Sequence, residues 1–118
     1  EAFDKRVREL AAAPQNSRVK ITIDGGLKRP PMNNPTVNGA LFKLVEEAGA
    51  EAGIEIKWVA TGGGSDANFT SALGVPTLDT LGPIGGLGHG VGEYMEIDSV
   101  LPRFDLLMRI VRKILMLR

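Results

Sequence analysis

Between residues 28 and 35 the chain reads Lys28-Arg29-Pro30-Pro31-Met32-Asn33-Asn34-Pro35. Proline fixes φ, lacks an amide donor and pushes the residue before it out of helical geometry, so this stretch is a rigid, extended linker. It is the strongest candidate boundary in the sequence. Whatever the chain folds into must be built from a short N-terminal part and a longer C-terminal part joined by this strut. At 118 residues there is enough chain for one domain with a real core.

The short part opens with a helical pattern. Phe3, Val7, Leu10 and Ala11 recur at helical spacing among Lys5, Arg6, Arg8 and Glu9, and Pro14-Gln15-Asn16-Ser17 ends the run. Val19, Ile21 and Ile23 then alternate with Lys20, Thr22 and Asp24, a half-buried strand that Gly25-Gly26 breaks or bends. Beyond the linker the spacing predicts a helix over Thr36–Ala52, with Val37, Ala40, Leu41, Leu44, Val45 and Ala48 as its buried stripe and Gly53 at the left-handed C-terminal position. Ile54, Ile56, Trp58 and Ala60 alternate as a strand, with Trp58 expected in the core. A short helix follows the turn at 61–66 and ends at Gly74. Val75–Leu81 reads as a further strand, interrupted by one acid, Asp79, which marks a strand end or an inward polar role. Tyr94–Ile97 reads as a short strand. In the last helix Asp98 or Ser99 is a suitable cap and Pro102 fits the first turn. Phe104, Leu107, Ile110, Val111 and Ile114 form its apolar face, and Arg109, Arg112, Lys113 and Arg118 lie toward the end that the macrodipole favours. Helix and strand in alternation imply an α/β layer with a mostly parallel sheet flanked by helices.

Formal net charge is zero with acids and bases interspersed, which argues against a nucleic-acid binder. With no cysteine there are no disulfides, no thiolate catalysis and no thiolate zinc site. No apolar run is long enough to span a bilayer. The cytoplasm is the favoured compartment. The chain opens on Glu1 inside a helical pattern, so it reads as a piece of something longer, and a signal peptide upstream stays open.

Three features carry chemistry. Gly62-Gly63-Gly64-Ser65-Asp66 runs from a strand into a helix N-terminus, where free amides and the helix dipole favour anions. A tight turn capped by Ser65 or Asp66 explains the same residues equally well. The loop is neither a P-loop, for want of the lysine, nor a dinucleotide fingerprint, because the third glycine position holds Ala67. His89 is the only histidine and lies within Gly85-Gly86-Leu87-Gly88-His89-Gly90-Val91-Gly92-Glu93-Tyr94. Glycines there point to a sharply turning or closely approached backbone. Imidazole is the commonest metal ligand and acid–base group near neutral pH, although a lone histidine is also commonly structural. Glu93 and Tyr94 are placed to orient it, and Glu93 serves equally as a surface residue. Arg29, stiffened by Pro30-Pro31 beside Asn33 and Asn34, has the geometry to clamp a carboxylate or to stand solvated in the linker.

Gly62-Gly63-Gly64-Ser65-Asp66-Ala67, then Gly74-Val75-Pro76-Thr77, Leu81-Gly82-Pro83 and Gly88-His89-Gly90-Val91-Gly92-Glu93-Tyr94, in that order and spacing, resemble the C-terminal part of the di-zinc aminoacylase and carboxypeptidase family. That family includes carboxypeptidase G, acetylornithine deacetylase and succinyl-diaminopimelate desuccinylase. The resemblance covers nearly the whole chain, and Arg29-Pro30 with the glycine-serine-aspartate loop sets it nearer carboxypeptidase G than the desuccinylases.

The resemblance implies a catalytic α/β domain with two zinc ions, interrupted by an α+β lid that dimerises. On that map residues 1–28 are the end of the lid and 29–118 the C-terminal part of the catalytic domain. His89 matches the last metal ligand, Gly62, Gly63, Gly64 and Ser65 the backbone beside the substrate, and Arg29 the receiver of the substrate carboxylate. The substrate would be a small peptide or N-acyl amino acid, and the assembly a homodimer. The family's His-x-Asp motif, bridging aspartate and Glu-Glu base have no counterparts here. Glu46-Glu47 lies on an amphipathic helix and reads as solvated surface. One histidine cannot hold two zinc ions, so the expectation is an inactive C-terminal fragment of a zinc amidohydrolase. Two other classes remain open: a self-associating, non-catalytic module, and a small anion-binding domain built on Gly62–Ser65.

Overall fold

The computed structural model describes residues 2–32 and 35–117, with only the backbone described at Pro35 and Thr36. Glu1, Asn33, Asn34 and Arg118 therefore lie outside the described residues, and with them the expected support of Arg29 by the two asparagines. The chain divides into two compact units, Glu1–Pro31 and Met32–Arg118.

The first unit holds α1 (Ala2–Ala12), which buries no residue. Phe3 and Leu10 of its apolar face are largely exposed. Asn16 turns the chain behind it: its carbonyl accepts from the Val19 amide at 2.9 Å and its side chain from the Arg18 amide at 3.0 Å. Residues 19–24 are extended but join no ladder among the described residues. Gly25 then takes φ +101°, and Arg8, paired with Asp4 at 2.9 Å, donates to the Gly25 carbonyl at 2.6 Å. One guanidinium thus ties the glycine turn back to the helix.

The second unit is organised by two helices, α2 (Pro35–Ala52) and, at the far end of the chain, α4 (Val100–Met116), with α3 (Ala67–Ala72) between them. Leu44, Val45 and Ala48 of α2 bury against Leu106 and Ile110 of α4, with Leu41, Ile54, Ile56, Leu78 and Leu81 closing the cluster. Val37 is half-buried, but Ala40 of the expected stripe is exposed, because Asn38 rather than Ala40 turns inward. Asn38 is 2% exposed, and its side-chain oxygen accepts from the Thr77 amide at 3.0 Å. A buried amide needs such a partner, and here the partner anchors the extended 75–81 segment.

Ion pairs seal the rim of the helix pair. Lys113 Nζ lies 2.7 Å from Glu51 and 3.8 Å from Glu47, and Arg109 lies 2.7 Å from Asp105 and 3.9 Å from Glu51. The hydrogen bond to Glu51 raises the Lys113 pKa above its ordinary value. The contribution of that pair is therefore held below the ordinary lysine range and lost as pH rises through the raised value. Being solvent-screened, it is small beside the apolar contact.

Helix α2 ends in a Schellman turn. Gly53 takes φ +69°, the Ile54 amide donates to Gly49 O at 2.8 Å and the Gly53 amide to Ala50 O at 3.2 Å. The turn folds 54–56 back over the buried Gly49. Trp58 is a correction to the sequence reading. It is 42% exposed, stacked on Phe42 with centroids 4.4 Å apart, and its indole donates to Glu46 at 2.7 Å. Phe42 and Glu46 stand one helical turn apart on the outer side of α2 and offer both halves of an amphipathic seat. The extended segments 54–60 and 75–81 join no ladder among the described residues. The one sheet among the described residues is an antiparallel pair, β1 (Gly85–Gly86) and β2 (Tyr94–Met95), followed by a 3-10 turn at Ile97–Ser99. The short strand thus stops two residues before Ile97. No helix among the described residues is long and apolar enough to cross a membrane.

The apolar face of α4 is divided. Leu106 and Ile110 are buried, whereas Phe104, Leu107, Val111 and Ile114 are 40% to 59% exposed. Truncating Leu106→Ala is expected to cost about 2–5 kcal/mol, read as a lowered urea midpoint by Trp58 fluorescence; an unchanged midpoint would remove the α2–α4 contact from the core. Gly49→Ala and Gly39→Ala are expected to move in opposite directions. Alanine favours a helix interior by about 1 kcal/mol, which Gly39 would gain because a Cβ there meets nothing within 4 Å. At Gly49 the new Cβ would stand 2.7 Å from the Ile54 carbonyl oxygen and 2.5 Å from Ile56 Cγ1, so the substitution destabilises by about 1–3 kcal/mol. Two variants shifting alike in the same titration would contradict that packing.

Candidate functional site

The glycine-rich stretch around His89 is a β-hairpin, and its glycines have separate tasks. A Cβ at Gly85 would lie 2.5 Å from the Tyr94 carbonyl oxygen, inside the ladder. A Cβ at Gly86 would lie 2.8 Å from Tyr94 Cε1, so the tyrosine ring lies against a strand that only glycine keeps flat. The pairing continues one step beyond the strands, with the Glu96 amide donating to Ile84 O at 2.8 Å.

The stem is moored to α4 by Ser99. Its hydroxyl accepts from the Ile84 amide at 2.8 Å and donates to the Glu96 carbonyl at 2.6 Å, and the residue is 8% exposed. This corrects the expected cap: neither Asp98 nor Ser99 is seen capping α4 through its side chain, because the Ser99 oxygen turns away from the helix toward the hairpin. The helix that carries Leu106 and Ile110 thereby also fixes the base of the loop that carries His89.

Leu87–Glu93 form the loop. The Gly90 amide donates to Leu87 O at 3.0 Å and the Glu93 amide to Gly90 O at 3.1 Å, two successive turns. Leu87 and His89 take positive φ, +56° and +67°. Each such residue without a glycine costs on the order of 1–3 kcal/mol and persists only where its surroundings impose it. The Glu93 carboxylate accepts the backbone amide of His89 at 3.2 Å. His89 is exposed. A shallow groove runs along Ile84, Gly86, Gly88, Glu93 and Tyr94, and His89 is not among the residues lining it.

The Gly62–Asp66 loop is exposed except at Ser65, which is half-buried, and both Gly62 and Gly63 have open space or ordinary contact beside the Cα. Its junction with α3 is closed internally. Ser65 Oγ accepts the Ala67 amide at 3.2 Å, and the Asn68 side chain accepts the Ser65 amide at 2.8 Å. Ser65 therefore caps the turn while Asp66 makes no side-chain cap. The amides that an anion would use are in part committed, and α3 has only six residues, so the turn reading gains over the anion reading. A Schellman turn closes α3 at Gly74, φ +80°. Thr77 Oγ1 donates to the Val75 carbonyl at 2.8 Å and lies 3.1 Å from Thr70 Oγ1, which itself donates to the Ala67 carbonyl at 3.0 Å. Asn38 thus positions 75–81 from one side and Thr70 from the other. Asp79 is exposed and accepts the amide of Thr80 at 2.7 Å, so it has no inward polar role.

Among the described elements α3 packs against neither the hairpin nor α4. Arg29 is exposed and belongs to the first unit, whereas Gly62–Ser65 and His89 belong to the second. Two residues that matter for the site escaped the sequence reading. Asn38 had a legible signal, a polar residue one turn before Leu41 and two before Val45 on the buried face. Ser99 was visible only as a cap.

Catalytic zinc takes three protein ligands plus water. Among the described residues no three His, Cys, Asp or Glu side chains lie together as a metal-binding group. The described residues therefore do not make a complete zinc site. Glu46 and Glu47 are engaged elsewhere, with Trp58 and Lys113.

No curated protein and no solved structure matches the chain. The sequence profile of peptidase family M20/M25/M40 matches residues 6–113. That span runs from within α1 to within α4 and takes in the Gly62–Asp66 loop and the His89 hairpin, so the chain belongs to peptidase family M20/M25/M40, a family of metallopeptidases.

Proposed function

We propose that this chain is the C-terminal portion of a zinc-dependent amidohydrolase of the carboxypeptidase G type, which hydrolyses an amide or peptide bond next to a free carboxylate. The observation that carries the reading is His89: the only imidazole of a metallopeptidase-family chain, exposed at the tip of a hairpin and held in a left-handed conformation. His89 would be one zinc ligand, with the others supplied by chain outside these residues. Bound zinc would activate water and polarise the scissile carbonyl. The residues of this chain would do the positioning. The Gly62-Gly63-Gly64-Ser65 backbone would lie along the substrate, and Arg29 would receive its carboxylate in bidentate fashion. The parts of the site absent from this chain make it inactive by itself.

The same reading gives residues 1–28 to a dimerising lid and 29–118 to the catalytic domain of a homodimer. The unladdered segments 54–60 and 75–81 would become strands of a mostly parallel sheet in the longer protein. The apolar stripe Phe104, Leu107, Val111 and Ile114 supports a second reading for the chain as it stands, self-association without catalysis.

The test is zinc content together with hydrolysis of N-acyl amino acids by the protein from its whole reading frame, with and without His89→Ala. Loss of zinc is expected. Activity should fall by more than the roughly 10- to 100-fold that loss of an outer-shell partner causes. Full zinc occupancy and full activity in the variant would remove His89 from the site.

A further inference from the structure

We infer that Glu93 is a positioning residue: its carboxylate locks the hairpin loop in the strained conformation that sets the direction of the His89 imidazole. The metal-related part of this inference rests on the reading of His89 as a ligand; the lock itself does not.

Three observations meet at one bond. His89 and Leu87 hold positive φ, a region that residues bearing a Cβ leave unless held. The two turn hydrogen bonds of the loop, Gly90 N to Leu87 O and Glu93 N to Gly90 O, fix residues on either side of His89 but use neither its own N–H nor its own C=O. The bond that does is side chain to backbone, from the His89 amide to Glu93 Oε2 at 3.2 Å. The acceptor is a carboxylate, which gives a stronger bond than a neutral oxygen. Glu93 itself stands directly before β2, whose Tyr94 lies on Gly86 and whose following residues are moored by Ser99 to α4. The lock therefore transmits the position of a core helix to the histidine. At positive φ the Cα–Cβ bond of His89 leaves the backbone in a direction that neither an extended nor a helical residue would give it. A ligand-bearing side chain displaced by a rotation there would miss its metal.

The experiment compares Glu93→Ala, Glu93→Gln and His89→Ala in the protein from its whole reading frame. Amide hydrogen exchange is read at His89 and, as controls, at Leu106 and Ile110; zinc affinity is read by competition with a chelator. In Glu93→Ala the His89 amide is expected to exchange roughly tenfold faster, the value of one charge-assisted hydrogen bond, with both core-helix amides unchanged. Zinc affinity is expected to fall about 10- to 100-fold. Glutamine keeps an acceptor oxygen and should restore most of both. An unchanged His89 amide in Glu93→Ala overturns the lock. So does equal acceleration at Leu106 and Ile110, which would make Glu93 a general stabiliser. If His89→Ala keeps its zinc, the ligand reading fails, and the amide exchange still decides the lock. If His89→Ala loses zinc while Glu93→Ala binds it normally, the ligand reading stands and the positioning role is refuted.

Discussion

The contact of Val45 and Ala48 on α2 with Leu106 and Ile110 on α4 holds the second unit together. These residues are separated by more than fifty positions of chain, so closing the contact also closes everything between them. Most of that intervening chain contributes little apolar burial of its own. The 54–60 and 75–81 segments lean on the helix pair through Ile54, Ile56, Leu78 and Leu81, and α3 packs on no other element among the described residues. Burial of apolar side chains is the dominant favourable term in folding, and here it is concentrated in one helix–helix seam.

Single polar side chains hang the functional segments on that seam. Asn38 on α2 holds the Thr77 amide, and Ser99 at the head of α4 holds both Ile84 and Glu96. Asn38 and Ser99 are both buried, where an unmatched polar atom is costly, and among the described residues no buried side-chain nitrogen or oxygen lacks a partner. The consequence is a hairpin whose base is rigidly referred to the core and whose tip is exposed. A ligand-bearing loop needs that combination: access for what it binds, and a fixed origin for the side chain that binds it.

The helices were legible because their signals are local. Gly53 ends α2 where the Schellman turn requires a left-handed residue, and Gly74 does the same for α3. The His89 hairpin was legible as a glycine loop, and the ordered motifs from Gly62 to Tyr94 carried the family. The remainder depended on partners that spacing does not name. Both Leu106–Ile110 and Phe104–Leu107–Val111–Ile114 satisfy helical periodicity on α4, and only the position of α2 chooses between them. Trp58 alternates like a core residue, yet Phe42 and Glu46 give it a better place outside. Ser99 precedes a helix like a cap, but its hydroxyl is worth more to two strand groups than to the helix end. Nothing in the sequence writes a positive φ at His89, because the group that imposes it is a side chain four residues on.

In the proposed function the imidazole of His89, set by its hairpin, ligates a metal ion. The most direct measurement is a zinc-edge anomalous difference map from crystals of the protein from its whole reading frame. The account requires an anomalous peak within about 2.0–2.1 Å of an imidazole nitrogen of His89. Zinc peaks whose ligands all lie elsewhere, with the His89 ring in solvent, would contradict it.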